Sequence, residues 1–235
     1  MKKIFLIISL LLSIVFLSSC ANKDAVKLSE NNKSTPPENE AELLTIKDYY
    51  AYKENTKYVF EGQGNEYASY TVFIDYKLGN HIQLRSNNGG TEIVKVLEYK
   101  DGELRVLLSR GECYYRENLT QVPSSNVEIL LKEPLVQGTS WTLVDGRKRF
   151  ITNLGVDVTT PLGTYKALEI TTEGKESETK DYYVSNIGLV KSVFTSNGLE
   201  VSSTLSKLET NVPFVQTVRI FYPNSNVDKL YFVNK

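Results

Sequence analysis

The chain has 235 residues, 41% hydrophobic and 23% charged, with a formal net charge of -1, which fits a globular protein of one or two domains. That balance offers no basic stripe for nucleic acid and little electrostatic pull toward anionic lipid. The tyrosine count of 15, against one tryptophan and one methionine, favours sheet, because aromatic side chains suit a pleated, half-buried surface.

Lys2 and Lys3 give a positive start, residues 4–17 are apolar except for Ser9 and Ser13, and the small residues Ser18 and Ser19 follow. This is the order of a secretory signal. The apolar run is short for a spanning helix, which takes about 20 residues. Leu17-Ser18-Ser19-Cys20 resembles the bacterial lipobox, in which the cysteine thiol is acylated and the segment before it is removed. The resemblance implies a signal peptide over 1–19 and a lipid anchor such as palmitate on Cys20. It places the protein on the extracytoplasmic face of the cell membrane. The competing reading is an uncleaved apolar anchor with an incidental cysteine. Of the two cysteines, a lipidated Cys20 leaves Cys113 without a partner, which excludes a disulfide-stapled scaffold. Residues 20–45 are rich in Asn, Lys, Ser, Glu and Pro and read as a disordered tether.

Over residues 46–210 the dominant pattern has period two. Tyr70, Val72, Ile74 and Tyr76 alternate with Thr71, Phe73 and Asp75; Ile93, Leu97 and Tyr99 share a face, as do Leu104, Val106 and Leu108, and Leu199, Val201 and Leu205. Between the runs stand Gly79-Asn80, Asn87-Asn88-Gly89-Gly90, Asp101-Gly102, Asp145-Gly146 and Asn197-Gly198. Asp-Gly and Asn-Gly are strong hairpin signals because both residues tolerate positive φ. They predict hairpins pairing 91–100 with 103–109 and 188–196 with 199–207. Residues 40–50 could form one short helix. The fold class is therefore all-β, mainly antiparallel: a curved sheet, half-barrel or sandwich of roughly ten strands.

Residues 52–60, with Asn55-Thr56-Lys57-Tyr58, align with 135–143, with Gly138-Thr139-Ser140-Trp141. Each has a turn residue, Thr, one variable residue and a large aromatic. This is either an internal repeat or the ordinary look of a strand leaving a turn. The order Gly138-Thr139-Ser140-Trp141, Pro161-Leu162-Gly163-Thr164-Tyr165, Tyr182-Tyr183-Val184-Ser185-Asn186-Ile187-Gly188-Leu189-Val190-Lys191 resembles a recurrent extracytoplasmic β domain of secreted proteins and lipoproteins. It implies a curved antiparallel sheet and a location, and no defined activity.

In residues 211–235, Thr217 to Phe221, a Pro223-Asn224-Ser225-Asn226 turn and Val227 to Leu230 read as strand, turn and strand. They resemble the opening of the sporulation and spore germination (GerMN) domain, with Phe221-Tyr222 and Val227 departing from its pattern. The likeness implies a partial domain and a sporulation- or germination-related role at the cell envelope.

Catalytic chemistry is sparse. His81 is the one histidine, and no Gly-x-Ser-x-Gly elbow supplies a nucleophile for it. A Cys113–His81 dyad is conceivable, but a small core cysteine and a surface histidine explain the pair as well. One histidine and one thiol make no usual zinc site, and no calcium loop is present. Asp75 with Glu92 or Glu98 could form an acid pair. Gly62-Gln63-Gly64 lacks the helix of a phosphate loop, and Glu173-Gly174-Lys175-Glu176-Ser177-Glu178 reads as an exposed turn. The chain is expected to be no enzyme and to need no metal or cofactor.

The aromatic residues Tyr49, Tyr50, Tyr52, Tyr58, Tyr114, Tyr115, Trp141, Tyr182 and Tyr183 remain. Tyr49, Tyr50, Tyr58, Trp141, Tyr182 and Tyr183 are the candidates for stacking a sugar or holding an apolar ligand; core and cross-strand packing is the alternative. The expected function is a lipid-anchored, non-catalytic binding or scaffold module for an envelope protein or wall polymer, alternatively a carrier or sensor of a small apolar ligand. A cryptic hydrolase ranks below both. A filled interior favours the first of these and an open apolar interior the second.

Overall fold

The computed structural model describes residues 44–124, 128–213, 215–220 and 229–234, all within one compact unit, Glu42–Lys235. The signal, Cys20, most of the tether and the turn expected at 223–226 lie outside the described residues. One short helix, α1 (Ile46–Tyr49), precedes the strands. The first set is β1 (Lys57–Gln63), β2 (Tyr70–Leu78), β3 (His81–Asn87), β4 (Glu92–Lys100), β5 (Glu103–Arg110) and β6 (Glu128–Lys132). The second is β7 (Ser140–Thr142), β8 (Lys148–Thr160), β9 (Gly163–Glu173), β10 (Ser177–Val184), β11 (Gly188–Ser196) and β12 (Leu199–Glu209). Both predicted hairpins form, as β4–β5 and β11–β12. Asp101 and Gly102 (φ 52° and 71°) and Asn197 and Gly198 (φ 48° and 79°) turn them with both residues at positive φ, the geometry that matches strand twist.

All of these strands join one antiparallel sheet, 12-stranded rather than ten, in the order β6-β5-β4-β3-β2-β1-β12-β11-β10-β9-β8-β7. It is two meanders, β1–β6 and β7–β12, joined where the first strand of one pairs with the last strand of the other. The sheet curls into a nearly closed barrel, with β6 and β7 as its two edges. The aligned segments 52–60 and 135–143 enter the first strand of each meander, and their backbones match. Asn55 donates to Ile74 O (3.0 Å) and Ile74 back to Thr56 O (2.9 Å). Gly138 likewise donates to Ile151 O (2.9 Å) and Ile151 back to Thr139 O (2.9 Å). Asn55 (φ 57°) and Gly138 (φ 91°) share the left-handed conformation, and Tyr58 and Trp141 both enter the barrel core. The two segments are structural equivalents.

That core gathers the inward residues of both meanders, among them Ile74, Ile82, Leu97, Leu104, Val106, Ile151, Leu168, Ile170 and Leu205. The row Leu104, Val106, Leu108 breaks. The β4–β5 register shifts between Val96 and Leu97, pairing Val96 with Leu108 and Leu97 with Val106. The extra residue, Leu107, is a bulge that turns the following side chains to the other face. Leu108 therefore joins Val94, Val96, Cys113 and Leu119 in a separate cluster on the outer face. Leu199, expected in a buried row with Leu205, sits exposed beside the β11–β12 turn. Asp75, expected opposite the core, is also completely buried.

The segment from α1 to β1 closes one end of the barrel, where the β4–β5 and β10–β11 turns lie. Thr45 and Asp48 cap the helix reciprocally, as a capping box does. Ile46 N–H donates to Glu133 Oε1 (3.0 Å), Asn186 N–H to Asp48 O (2.7 Å), and Tyr50 Oη to Leu97 O (3.2 Å). Tyr50, Tyr52 and Tyr58 then pack edge to face, with centroids 5.8 and 5.6 Å apart, a favoured aromatic geometry. Beyond β12, β13 (Val215–Ile220) and β14 (Lys229–Asn234) pair antiparallel in a sheet of their own. Two strands were expected there, at 217–221 and 227–230; the first is found at Val215–Ile220 and the second later, at Lys229–Asn234.

Candidate functional site

The core fills the barrel interior only in part. A cavity of about 340 Å³ lies above the tyrosine plug, lined by Tyr52, Tyr58, Phe60, Tyr70, Leu97 and Tyr183 with further leucines from both meanders. Its size falls in the range of small-molecule sites, about 300–1,000 Å³. Period-two alternation builds the wall: Tyr58 and Phe60 come from β1, Tyr70 and Val72 from β2, Leu84 and Ser86 from β3, each pair two residues apart. Phe60 and Tyr70 stack face to face at 4.5 Å and 14°, which stiffens that side.

Four charged residues share this wall: Lys95, Glu128, Arg149 and Asp181. Arg149 is engaged at all three of its nitrogens. Its Nη2 meets Glu128 Oε1 at 2.9 Å, its Nη1 donates to Ile129 O at 2.8 Å, and its Nε donates to Thr172 Oγ1 at 2.8 Å. Among the described residues, Asp181 accepts one bond, from Ser192 Oγ at 2.6 Å. Burial pushes its carboxyl up; the Ser192 hydroxyl and Arg149 pull it down by less. Lys95 makes no ion pair among the described residues, and its positive field reaches Asp181. Burial also raises the phenols of Tyr58 and Tyr70, Tyr70 further because Asp181 is near.

Of the six aromatic candidates, Tyr58 and Tyr183 line the cavity. Tyr49 and Tyr50 are buried with α1 and its end. Trp141 is buried in the seam between the sheet edges, donating Nε1–H to Ile129 O at 3.0 Å. Tyr182 is half-buried, and burial together with the Glu169 carboxylate pushes its phenol up to about 12. Tyr114 and Tyr115 are exposed. Sequence reasoning passed over Phe60, Tyr70, Lys95, Arg149 and Asp181. The signal available for Asp181 was its place two residues before Tyr183, which puts the carboxylate on that ring's face of the strand.

The other candidates are structural. His81 meets Glu98 across β3–β4 at 3.4 Å, whereas Cys113 N–H bonds Glu92 O. Glu92 and Glu98 are six residues apart on β4, about 20 Å at strand rise, so His81 and Cys113 form no dyad. Burial pushes the Cys113 thiol up, away from nucleophilic use. Asp75 and Glu92 do come together, but around Arg85, at 2.8 and 2.9 Å. Gln83 and Arg116 add to this buried group and pin segment 111–124 to the outer face: Gln83 Nε2 donates to Glu117 O (2.8 Å), and Leu119 N–H donates to Gln83 Oε1 (2.7 Å). Glu173 and Glu176 are exposed at the β9–β10 turn, as expected. Among the described residues, no group of three or more His, Cys, Asp or Glu is placed to hold a metal ion, and no helix is long and apolar enough to cross a membrane.

No family model matches the chain, so the likeness to the spore germination domain stands on its residues alone. No curated protein matches it. Two solved structures are similar in part. One, from Bacteroides fragilis, is described as an exported protein with a YmcC-like fold; it is 12% identical, covers 67% of this chain and 97% of its own, and has a TM-score of 0.41. The other, from Parabacteroides distasonis, is described as a lipoprotein; it is 14% identical, covers 67% of this chain and 96% of its own, and has a TM-score of 0.37.

Proposed function

We propose that the chain is a lipid-anchored extracytoplasmic protein that binds a small molecule inside its barrel without transforming it. The observation that carries the reading is the cavity of about 340 Å³ with an apolar aromatic wall and a few convergent polar groups, the usual make-up of a small-ligand site. It ranks a carrier or sensor above a scaffold for an envelope protein or wall polymer, since a scaffold has no use for an unfilled interior. The anchor part rests on Leu17-Ser18-Ser19-Cys20; more than one acyl chain at that cysteine would hold the protein stably on the membrane.

Two experiments test the two halves. Mass spectrometry of the protein expressed in a bacterium should find a chain beginning at Cys20 with acyl mass, membrane-bound, and an unprocessed Cys20→Ala variant. An intact, lipid-free wild type contradicts the anchor. For the cavity, an environment-sensitive naphthalene dye should bind the wild type and lose affinity in Ser86→Phe, which places a ring in the space. Equal binding by both would contradict an interior site.

A further inference from the structure

The charges on the cavity wall narrow the ligand class. Arg149 and Glu128 neutralise each other at 2.9 Å, and the other two guanidinium nitrogens donate to Ile129 O and Thr172 Oγ1. That leaves Asp181 and Lys95, one of each sign, on strands from different meanders (β10 and β4). Asp181 has one hydrogen bond, to Ser192 Oγ at 2.6 Å, and lies among the aromatic residues Tyr70 and Tyr183. A carboxylate among aromatic side chains is a site for an organic ammonium, and a lysine without an ion pair is a point-charge donor for an anionic group. A net-neutral chamber of aromatic and polar groups with one charge of each sign outside an ion pair fits neither a plain hydrocarbon nor a singly charged molecule. The first would leave both half-buried charges, and the second one of them, without a complement.

Resting on the proposed small-ligand function, we infer that the barrel binds a zwitterion with an apolar body, its ammonium at Asp181 and its anionic group at Lys95. Two sources share this chemistry: a free amino acid with a large apolar side chain, and a phosphocholine-type headgroup on a short alkyl chain. Both have a body that the Tyr52, Tyr58 and Phe60 side of the cavity can cover.

The test is calorimetric titration of the full chain held in phosphatidylglycerol vesicles, which offer no zwitterion of their own. The probes are L-phenylalanine and hexylphosphocholine, then phenethylamine and 3-phenylpropanoate as one-charge analogues, then neutral 2-naphthol. At least one zwitterion should bind at least about tenfold more tightly than either analogue, and which one binds identifies the source. Asp181→Asn should weaken the zwitterion and phenethylamine while leaving 3-phenylpropanoate unchanged. Lys95→Met should do the reverse for the two analogues. If 2-naphthol binds but the zwitterions gain nothing over their analogues, or neither substitution discriminates, the zwitterion inference falls and the cavity reading stands. If no probe binds, the cavity reading itself falls.

Discussion

Trp141 on β7 donates its indole N–H to the carbonyl of Ile129 on β6 at 3.0 Å, so a side chain joins the two sheet edges that the strand ladder leaves unpaired. Arg149 reaches the same carbonyl from β8 at 2.8 Å. The seam is therefore held by one buried aromatic and one buried cation, both converging on Ile129. Trp141→Phe keeps most of the bulk and should cost about 0.5–1.5 kcal/mol for the lost hydrogen bond. Trp141→Ala should cost about 3–5 kcal/mol. Urea unfolding of the two variants separates the contributions.

Arg85 holds Asp75 and Glu92 together at 2.8 and 2.9 Å, and Asp75 is wholly buried. Removing the cation leaves the buried Asp75 carboxylate with the weaker contacts of Arg116 Nε at 3.9 Å and Gln83 Nε2 at 3.3 Å, so Arg85→Met should destabilise by about 1.5–3 kcal/mol. Adding Asp75→Asn should recover a large part of that loss, which a double-mutant cycle would measure.

Gly188 stands at φ 97°, and a Cβ there would lie 2.8 Å from the Tyr52 ring and hydroxyl. Both the backbone and the plug forbid a side chain. Gly188→Ala should lower the thermal midpoint and loosen the end of the barrel, detectable as faster amide exchange over residues 46–55.

Burial raises the phenols of Tyr50, Tyr58, Tyr70 and Tyr183 above 10. An acid whose folded pKa is raised keeps its proton longer in the native state. Its contribution is therefore intact below the unfolded value, about 10, and is lost as pH rises through the folded one. Stability should hold to about pH 10 and then fall by roughly 1.4 kcal/mol per pH unit for each phenol still protonated only in the fold. Denaturant midpoints between pH 8 and 12 would show it; a flat profile across that range would contradict the buried tyrosine cluster.

The hairpins were legible because Asp101-Gly102 and Asn197-Gly198 encode their turns locally. The twin entries at Asn55-Thr56 and Gly138-Thr139 were legible as a pattern, though only the shared bonds to Ile74 and Ile151 distinguish equivalence from resemblance. The flip of Leu108 was not legible. Alternation counts residues and cannot see that Leu107 has no partner across the ladder. Barrel closure was hidden for a different reason. It depends on β1 pairing with β12, far apart in sequence, and on Trp141 finding Ile129. The site fared worst, since Asp181 and Lys95 read as ordinary polar residues until curvature turns their face inward. His81 and Cys113 drew notice by rarity alone, and the sheet holds them apart.

The most direct measurement is thermal unfolding of the wild type and Asp181→Asn at pH 7, with and without saturating L-phenylalanine or hexylphosphocholine. Asp181 has a raised carboxyl pKa, so its ionised form opposes folding above the unfolded value of about 4, and the opposition vanishes below it. Asp181→Asn should be the more stable protein when empty at pH 7 and should lose that advantage at pH 3. A zwitterion should raise the midpoint of the wild type but not of the variant. A variant that is less stable when empty, or one that a zwitterion stabilises as much as the wild type, would contradict a ligand site built around Asp181.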